Sequence, residues 1–108
     1  MIEDTDFRQL AAEDATDLHL TAGKPAVKRI GGVLVPFGPE ITENELRTFA
    51  ERYVPPERLH RFTETGSCDS AFSADPFRCR LHLYLAGGQM SAAIRLLPSE
   101  LAGGQDPD

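Results

Sequence analysis

The sequence of 108 residues contains no tryptophan and only two cysteines, Cys68 and Cys79. Two cysteines are too few for a disulfide framework. There is also no Cys-x-x-Cys pair and no Cys/His cluster at the spacing of zinc ligands. We therefore interpret both cysteines as reduced thiols and predict that the chain has no metal site.

Long apolar runs are missing as well. No stretch approaches the ~20 consecutive apolar residues of a membrane-spanning helix. The N-terminus MIEDTDFRQ has neither the basic start nor the apolar stretch of a secretory signal. We therefore expect a cytoplasmic protein that does not insert directly into a membrane.

The sequence also lacks a Walker A and a Walker B motif. The stretch nearest to a phosphate-binding loop is Gly23-Lys24, where Pro25 occupies the Ser/Thr position and Leu18 the place of the first glycine. No histidine stands beside a Ser or Cys nucleophile in a recognisable local signature. We therefore predict that this chain alone is not an enzyme, has no catalytic residue and holds no cofactor.

Negative charge is in excess over the chain, which has a formal net charge of −6 and a pI near 5.0. Such a molecule repels polyanions unless its basic residues are segregated on one face. We therefore predict no nucleic-acid partner.

The hydrophobic periodicity predicts the order helix, three strands, two helices and three strands. The predicted helices cover 3–13, a segment from Thr42 to the Pro55-Pro56 pair, and a short segment that ends before Gly66. The predicted strands cover 17–21, 27–30, 33–35, 68–73, 77–85 and about 90–97, with Pro36 and Gly38-Pro39 ending the third.

This order of elements is typical of an α+β fold. We predict a PAS-like antiparallel sheet of about six strands with helices packed on one face. Residues 1–98 are expected to form this domain. The polar, glycine-bearing residues 99–108 are expected to be a linker or a disordered tail.

Basic residues occupy one side of the last two predicted strands. In the fifth strand this polar side comprises Arg78, Arg80, His82 and Tyr84, and in the sixth it includes Arg95. The segment between Phe77 and Leu97 contains no acid. The face away from the helices is therefore predicted to be basic and to bind a specific anionic partner. It is expected to present Arg80, His82 and Arg95, together with Lys28 or Arg29.

Plainer interpretations of the same residues stay open. Arginines that alternate along a strand commonly form a solvated face or pair with acids across strands. The ring of His19 is expected to bond to a neighbouring backbone group or to Asp17. Asp17 is expected to hold local backbone or an arginine.

Four stretches carry a resemblance to a known family. The stretch ATDLHLTAGKPAVKRIGGVLVP resembles the signature of the N-terminal, PAS-like domain of type IV pilus retraction ATPases, the PilT type of the secretion ATPase superfamily. Its usual form is a Ser-Asp-Leu-His-Leu run, an Ala-Gly-x-Pro turn, and an Arg shortly before a Gly. The matching positions are Thr16, Asp17, Leu18, His19, Leu20, Ala22, Gly23, Pro25, Arg29 and Gly32.

The other three stretches continue the resemblance in order along the chain. GSCDSAFS is similar to the family's Gly-x-x-Asp-x-x-Phe strand, CRLHLY to its Phe-Arg-Val-Asn strand, and AAIRLLPSE to the end of the domain. His82 stands where the family usually has Asn, and Cys79 where it has Phe.

The resemblance implies a regulatory and oligomerisation domain of a twitching motility ATPase. In that family a RecA-like domain follows, carries the Walker motifs and binds ATP and Mg²⁺. Six subunits form a ring at the inner-membrane base of the pilus, and each N-terminal domain packs on a neighbouring ATPase domain. The resemblance also implies that arginines of this domain help to complete or sense the nucleotide pocket, with Arg80 first, then Arg95 and Arg29.

Two other functions stay open. The first is a stand-alone PAS-like sensor or protein-interaction module without catalysis, which requires an internal ligand cavity. The second is a small hydrolase that uses His19 and Asp17.

Overall fold

The computed structural model of the chain describes residues 2–98. Over these residues there are three helices and six strands, in the predicted order. Their bounds are α1 Asp4–Ala12, β1 Ala15–Thr21, β2 Pro25–Ile30, β3 Val33–Glu40, α2 Glu43–Tyr53, α3 Pro56–Thr65, β4 Ser67–Ala74, β5 Phe77–Ala86 and β6 Gln89–Pro98. The predicted tail, 99–108, lies outside the described residues.

The strands form one antiparallel sheet with the order β3-β2-β1-β6-β5-β4. The first and last strands in sequence are therefore neighbours at its centre. The helices cover one face of the sheet, and the predicted α+β fold is confirmed. None of the three helices over residues 2–98 combines the length and the hydrophobicity needed to cross a membrane.

Local signals in the sequence set the helix ends. The Thr42 hydroxyl accepts a hydrogen bond from the Glu45 amide at 3.0 Å, and the Glu45 carboxylate accepts one from the Thr42 amide at 2.9 Å. This reciprocal capping starts α2 where the sequence predicts it. Gly66 ends α3 in the left-handed conformation, with φ +86°, which a glycine adopts without strain.

Strand β3 is longer than the sequence predicts. Pro36 and Gly38-Pro39 were expected to end it after Val35, yet the strand continues to Glu40. The reason is its position, because β3 lies at the edge of the sheet and a proline there removes no hydrogen bond that a further strand needs.

The core lies between the helices and the covered face of the sheet. Apolar side chains of β1, β5 and β6 alternate into it, as predicted, and α1 and α2 supply Phe7, Leu10, Leu46 and Phe49. Phe7 and Phe49 meet Phe72 edge to face, each with ring centroids 6.3 Å apart. Aromatic packing of this kind fills the interior of the domain.

Both cysteines are buried within this core and are not bonded to each other. Burial raises the pKa of the Cys79 thiol to about 12. It raises the pKa of Cys68 as well. Thiols in such surroundings are protonated at neutral pH and behave as small apolar groups.

Candidate anion-binding face

The face of the sheet opposite the helices carries a row of charged residues from four adjacent strands. Asp17 of β1 lies opposite Arg29 of β2 on one side and opposite Arg95 of β6 on the other. Arg95 in turn lies opposite Arg80 of β5. We call Arg29, Asp17, Arg95 and Arg80 the arginine row. It contains the three arginines, Arg80, Arg95 and Arg29, for which the family resemblance implies a nucleotide-sensing role.

Two arginines in this row stand directly opposite each other. Arg80 and Arg95 are cross-strand partners, a position in which side chains lie roughly 5 Å apart at Cβ and like charges destabilise the pair. Arg80 takes part in no ion pair within residues 2–98. The pair is therefore a local concentration of positive charge on a strongly acidic protein.

Asp17 is the carboxylate within the arginine row. Its Oδ2 lies 3.5 Å from Nε of Arg29, and its Oδ1 lies 3.9 Å from Nε of Arg95. The Thr16 hydroxyl donates a hydrogen bond to Oδ2 at 2.8 Å. The expectation that Asp17 holds an arginine is therefore confirmed, and it holds two.

A β-bulge places this carboxylate on the open face. Between Ala15 and Asp17 the pairing with β2 shifts, so that Ala15 lies opposite Ile30 and Asp17 opposite Arg29. The extra residue, Thr16, resets the alternation, because Ala15 and Leu18 are both buried while Thr16 and Asp17 both face outward. Thr16 was not among the predicted site residues. Its signal in the sequence is the pair of adjacent polar residues between apolar ones.

His82 forms a second polar group on the same face. Its Nδ1 lies 2.8 Å from Oδ1 of Asp69, on the neighbouring strand β4. Its ring stacks on Tyr84 with centroids 5.3 Å apart and an interplanar angle of 15°. Arg58 of α3 donates to the Asp69 carbonyl at 2.8 Å. His82 therefore faces outward as predicted, whereas Asp69 was missing from the predicted site.

Lys28 does not belong to the open face. The sequence left open whether Lys28 or Arg29 joins it, and Lys28 lies opposite the buried Leu18, on the covered side. Its ammonium binds Glu13 Oε1 at 2.7 Å and lies 4.8 Å from the centre of the Phe37 ring. The hydrogen bond from Lys28, supported by one from Gln9, lowers the pKa of Glu13.

His19 lies on the open face between Val27 and Ala93. The expected hydrogen bond from its ring to Asp17 or to backbone is wrong, because its imidazole makes no hydrogen bond within residues 2–98. A hydrolase that uses Asp17 to orient His19 is therefore not supported, since Asp17 is engaged by Thr16 and the two arginines.

The remaining motif residues shape turns. Gly23 has φ +89°, and its amide donates to the Ile41 carbonyl at 2.7 Å, which ties the β1–β2 turn to the end of β3. Pro25 opens β2. Gly31 and Gly32 both have positive φ, +57° and +82°, as a two-residue hairpin requires. These residues position the strands and do not point into a binding site.

The open face is concave around three members of the arginine row, Asp17, Arg80 and Arg95. A shallow depression of about 700 Å³ is lined by residues that include Asp17, His19, Arg80, His82 and Arg95. No group of three or more His, Cys, Asp or Glu side chains within residues 2–98 is arranged to hold a metal ion. The guanidinium groups of Arg80 and Arg95 make this depression suited to an oxyanion, which arginine binds through charge-assisted hydrogen bonds.

No protein-family model matches the chain, and no curated protein matches it. Among solved structures, it is similar to the pilus retraction motor PilT with bound ADP, with 26% identity and a TM-score of 0.80 over 93% of this chain. It is also similar to the ATPase DotB of Legionella pneumophila, with 18% identity, a TM-score of 0.73 and 94% of this chain covered. The third similar structure is DotB of Yersinia pseudotuberculosis, with 13% identity, a TM-score of 0.71 and 91% of this chain covered. At these identities the two DotB matches show the fold alone.

The chain spans about 30% of the length of the ATPases that it matches. The resemblance to PilT-type secretion ATPases, drawn from the sequence motifs, is confirmed by the match to PilT. The aligned region is only a part of such an ATPase, and its extent is consistent with the N-terminal domain.

Proposed function

We propose that this chain is the regulatory and oligomerisation domain of a type IV pilus retraction ATPase, and that it helps to complete the nucleotide pocket of a RecA-like domain. The observation that carries the proposal is the arginine row, which lies on the open face of a fold shared with PilT. In this assignment the basic face packs against the RecA-like domain of the same or the adjacent subunit.

Arginine suits this role because its planar guanidinium binds phosphate oxygens through two parallel hydrogen bonds. ATP and Mg²⁺ are held by the RecA-like domain, which supplies the chemistry of hydrolysis. This chain supplies positive charge close to the phosphates, with Arg80 as the first contact and Arg95 and Arg29 behind it. Arginines placed in this way stabilise the charge that develops during phosphoryl transfer.

The assembly that follows from this proposal is a homo-hexameric ring in the cytoplasm, at the inner-membrane base of the pilus. Closure of the two domains around ATP would change the position of each subunit against the next. In a twitching motility motor this movement would withdraw the pilus. The net negative charge of the domain agrees with a protein partner rather than nucleic acid.

The first test is the native gene beyond codon 108. The proposal expects an open frame that continues into a GxxxxGK[ST] motif. In the resulting full-length protein, Arg80→Ala is expected to lower ATP turnover by at least tenfold, because it removes a charge at the phosphates. Steady-state ATPase assays and sizing of the ring measure the effect.

Arg78→Ala is the matched control. Arg78 lies on the same side of β5, two residues away, but opposite Leu97 and Ser73 and outside the arginine row. It is expected to leave turnover within about twofold. If Arg80→Ala leaves both ATP turnover and ring assembly unchanged, the proposed function is wrong.

A further inference from the structure

The Arg80–Arg95 pair is unfavourable in the absence of a ligand. The two arginines are directly opposite each other in the register of β5 and β6, and like charges at such positions repel. Within residues 2–98, Arg80 has no carboxylate partner, and the contact of Arg95 with Asp17 is long, at 3.9 Å. An anion lying between the two arginines would relieve this repulsion.

Asp17 is the internal anion of the row, and the way it binds leaves Arg95 available. It approaches both Arg29 and Arg95 at Nε. A terminal nitrogen of Arg29 donates to the Gly32 carbonyl at 3.3 Å. The terminal nitrogens of Arg95 have no hydrogen-bond partner within residues 2–98, and its side chain is 69% exposed. Arg95 is therefore the arginine that can leave Asp17 at low cost.

The carboxylate itself is fixed more firmly than the arginine. The bulge at Thr16 turns Asp17 onto the open face, and the Thr16 hydroxyl holds Oδ2 at 2.8 Å. The Asp17 side chain is only 21% exposed. A ligand that binds the arginines would therefore displace Arg95 from Asp17 rather than move Asp17.

We propose that Asp17 is a competing counterion that limits the affinity of the Arg80–Arg95 pair for a polyphosphate. The choice of a triphosphate as the anion rests on the proposed function. Without ligand, Asp17 neutralises part of the charge on Arg29 and Arg95. With ligand, Arg95 leaves Asp17 and joins Arg80 on the phosphate chain, while Arg29 stays with Asp17 and Gly32.

The test is a calorimetric titration of the 108-residue chain with inorganic triphosphate at about 0.15 M salt, where charges beyond about 8 Å are screened. Asp17→Asn is expected to bind about threefold to tenfold tighter than wild type, because it removes the competing charge. Arg80→Ala is expected to abolish measurable binding.

Asp69→Asn is the matched control. Asp69 lines the same depression but is paired with His82 instead of an arginine. It is expected to change the affinity by less than about twofold, because it is highly exposed and screened. An equal gain from Asp69→Asn would mean that only the overall charge matters and would overturn the proposal.

Arginine Nε–H signals in NMR spectra give an independent readout. In wild type, triphosphate is expected to shift the signals of Arg80 and Arg95 and to leave that of Arg29 nearly unchanged. ATP should bind within about threefold of triphosphate, because guanidinium groups contact only the phosphate chain. Much tighter binding of ATP would contradict recognition of the phosphate chain alone.

The inference is overturned if Asp17→Asn binds triphosphate no tighter than wild type, or if neither protein binds it. Those results leave the proposed function standing, since that is decided by Arg80→Ala in the assembled ATPase. Conversely, tighter binding by Asp17→Asn supports the inference even where Arg80→Ala leaves ring turnover unchanged.

Discussion

The two faces of the sheet are built from the same strands and differ in nearly every property. The covered face is apolar, and residues such as Leu18, Leu83 and Ile94 retain almost no exposure. The open face carries arginines, histidines and two carboxylates, and the core helices α1 and α2 of residues 2–98 pack on the opposite face. Neighbouring residues along a strand therefore belong to regions with different tasks: one face stabilises the domain, and the other is free to bind.

Lys28 and Arg29 are adjacent in β2 and lie on opposite faces of the sheet, so they show how burial changes the pairing of a charged side chain. Lys28 lies on the covered side and is held by Glu13 at 2.7 Å and by the Phe37 ring, with 14% of its side chain exposed. Arg29 faces the open side with 39% exposed and a looser contact to Asp17 at 3.5 Å. A covered charge is stabilising only if it is paired, whereas an open charge stays available for a ligand.

Leu96 and Leu97 provide the sharpest comparison of the two faces. They are adjacent in β6, with 4% and 37% exposure. Leu96→Ala is expected to lower the free energy of unfolding by about 2 to 4 kcal/mol, because it removes buried methyl groups and leaves a cavity. Leu97→Ala is expected to cost less than about 1 kcal/mol. Urea unfolding of both variants measures the difference, and equal losses would contradict the division of the sheet into two faces.

The alternation of apolar and polar residues made this division predictable. In β5 every second residue from Phe77 to Leu83 is buried, and the intervening residues face outward. A period of two has only two possible assignments, and the helices must lie on the apolar side. The capping box at Thr42 and the glycine after α3 were predictable for a different reason, because such helix-end signals depend only on the residues at the helix end.

Other features depend on contacts that a pattern does not contain. The extent of β3 depends on its edge position, which follows from the order of the strands. The side on which Lys28 lies depends on its register with β1. The bulge at Thr16 and the sharing of Asp17 between two arginines depend on three strands coming together. Sequence motifs therefore identified the arginines. Which of them lies next to Asp17, and which lies only next to another arginine, depends on the pairing of the strands.

Lys28 and Arg29 test whether the covered charge contributes to stability. Lys28→Ala is expected to cost about 1 to 2 kcal/mol, because it removes a largely buried stem, its contact with Phe37 and the partner of Glu13. Arg29→Ala is expected to cost less than about 0.5 kcal/mol, as exposed ion pairs commonly do. Thermal or denaturant unfolding of the two variants compares them. A larger loss for Arg29→Ala would show that the open face also supports the fold.

Cys79 tests whether water reaches the covered face of the sheet. Titration of its thiol changes the free energy of unfolding only at alkaline pH. Burial raises the pKa of its thiol to about 12 in the folded domain. The pKa of a cysteine thiol in the unfolded chain is about 8.5. Between these values the folded state keeps a proton that the unfolded state has lost. The resulting stability is therefore fully present below about pH 8.5 and declines as the pH rises toward 12.

The measurement is the free energy of unfolding of wild type and Cys79→Ala from pH 7 to pH 11. Cys79→Ala is expected to be less stable at neutral pH, because packing is lost, but to lose less stability on the alkaline side, so that the two curves converge. Cys68→Ala is the matched control, and it should keep the part of the alkaline decline that belongs to Cys79. Parallel curves for wild type and Cys79→Ala would mean that water reaches the thiol. The covered side of β5 would then be more accessible to solvent than the burial of its side chains indicates.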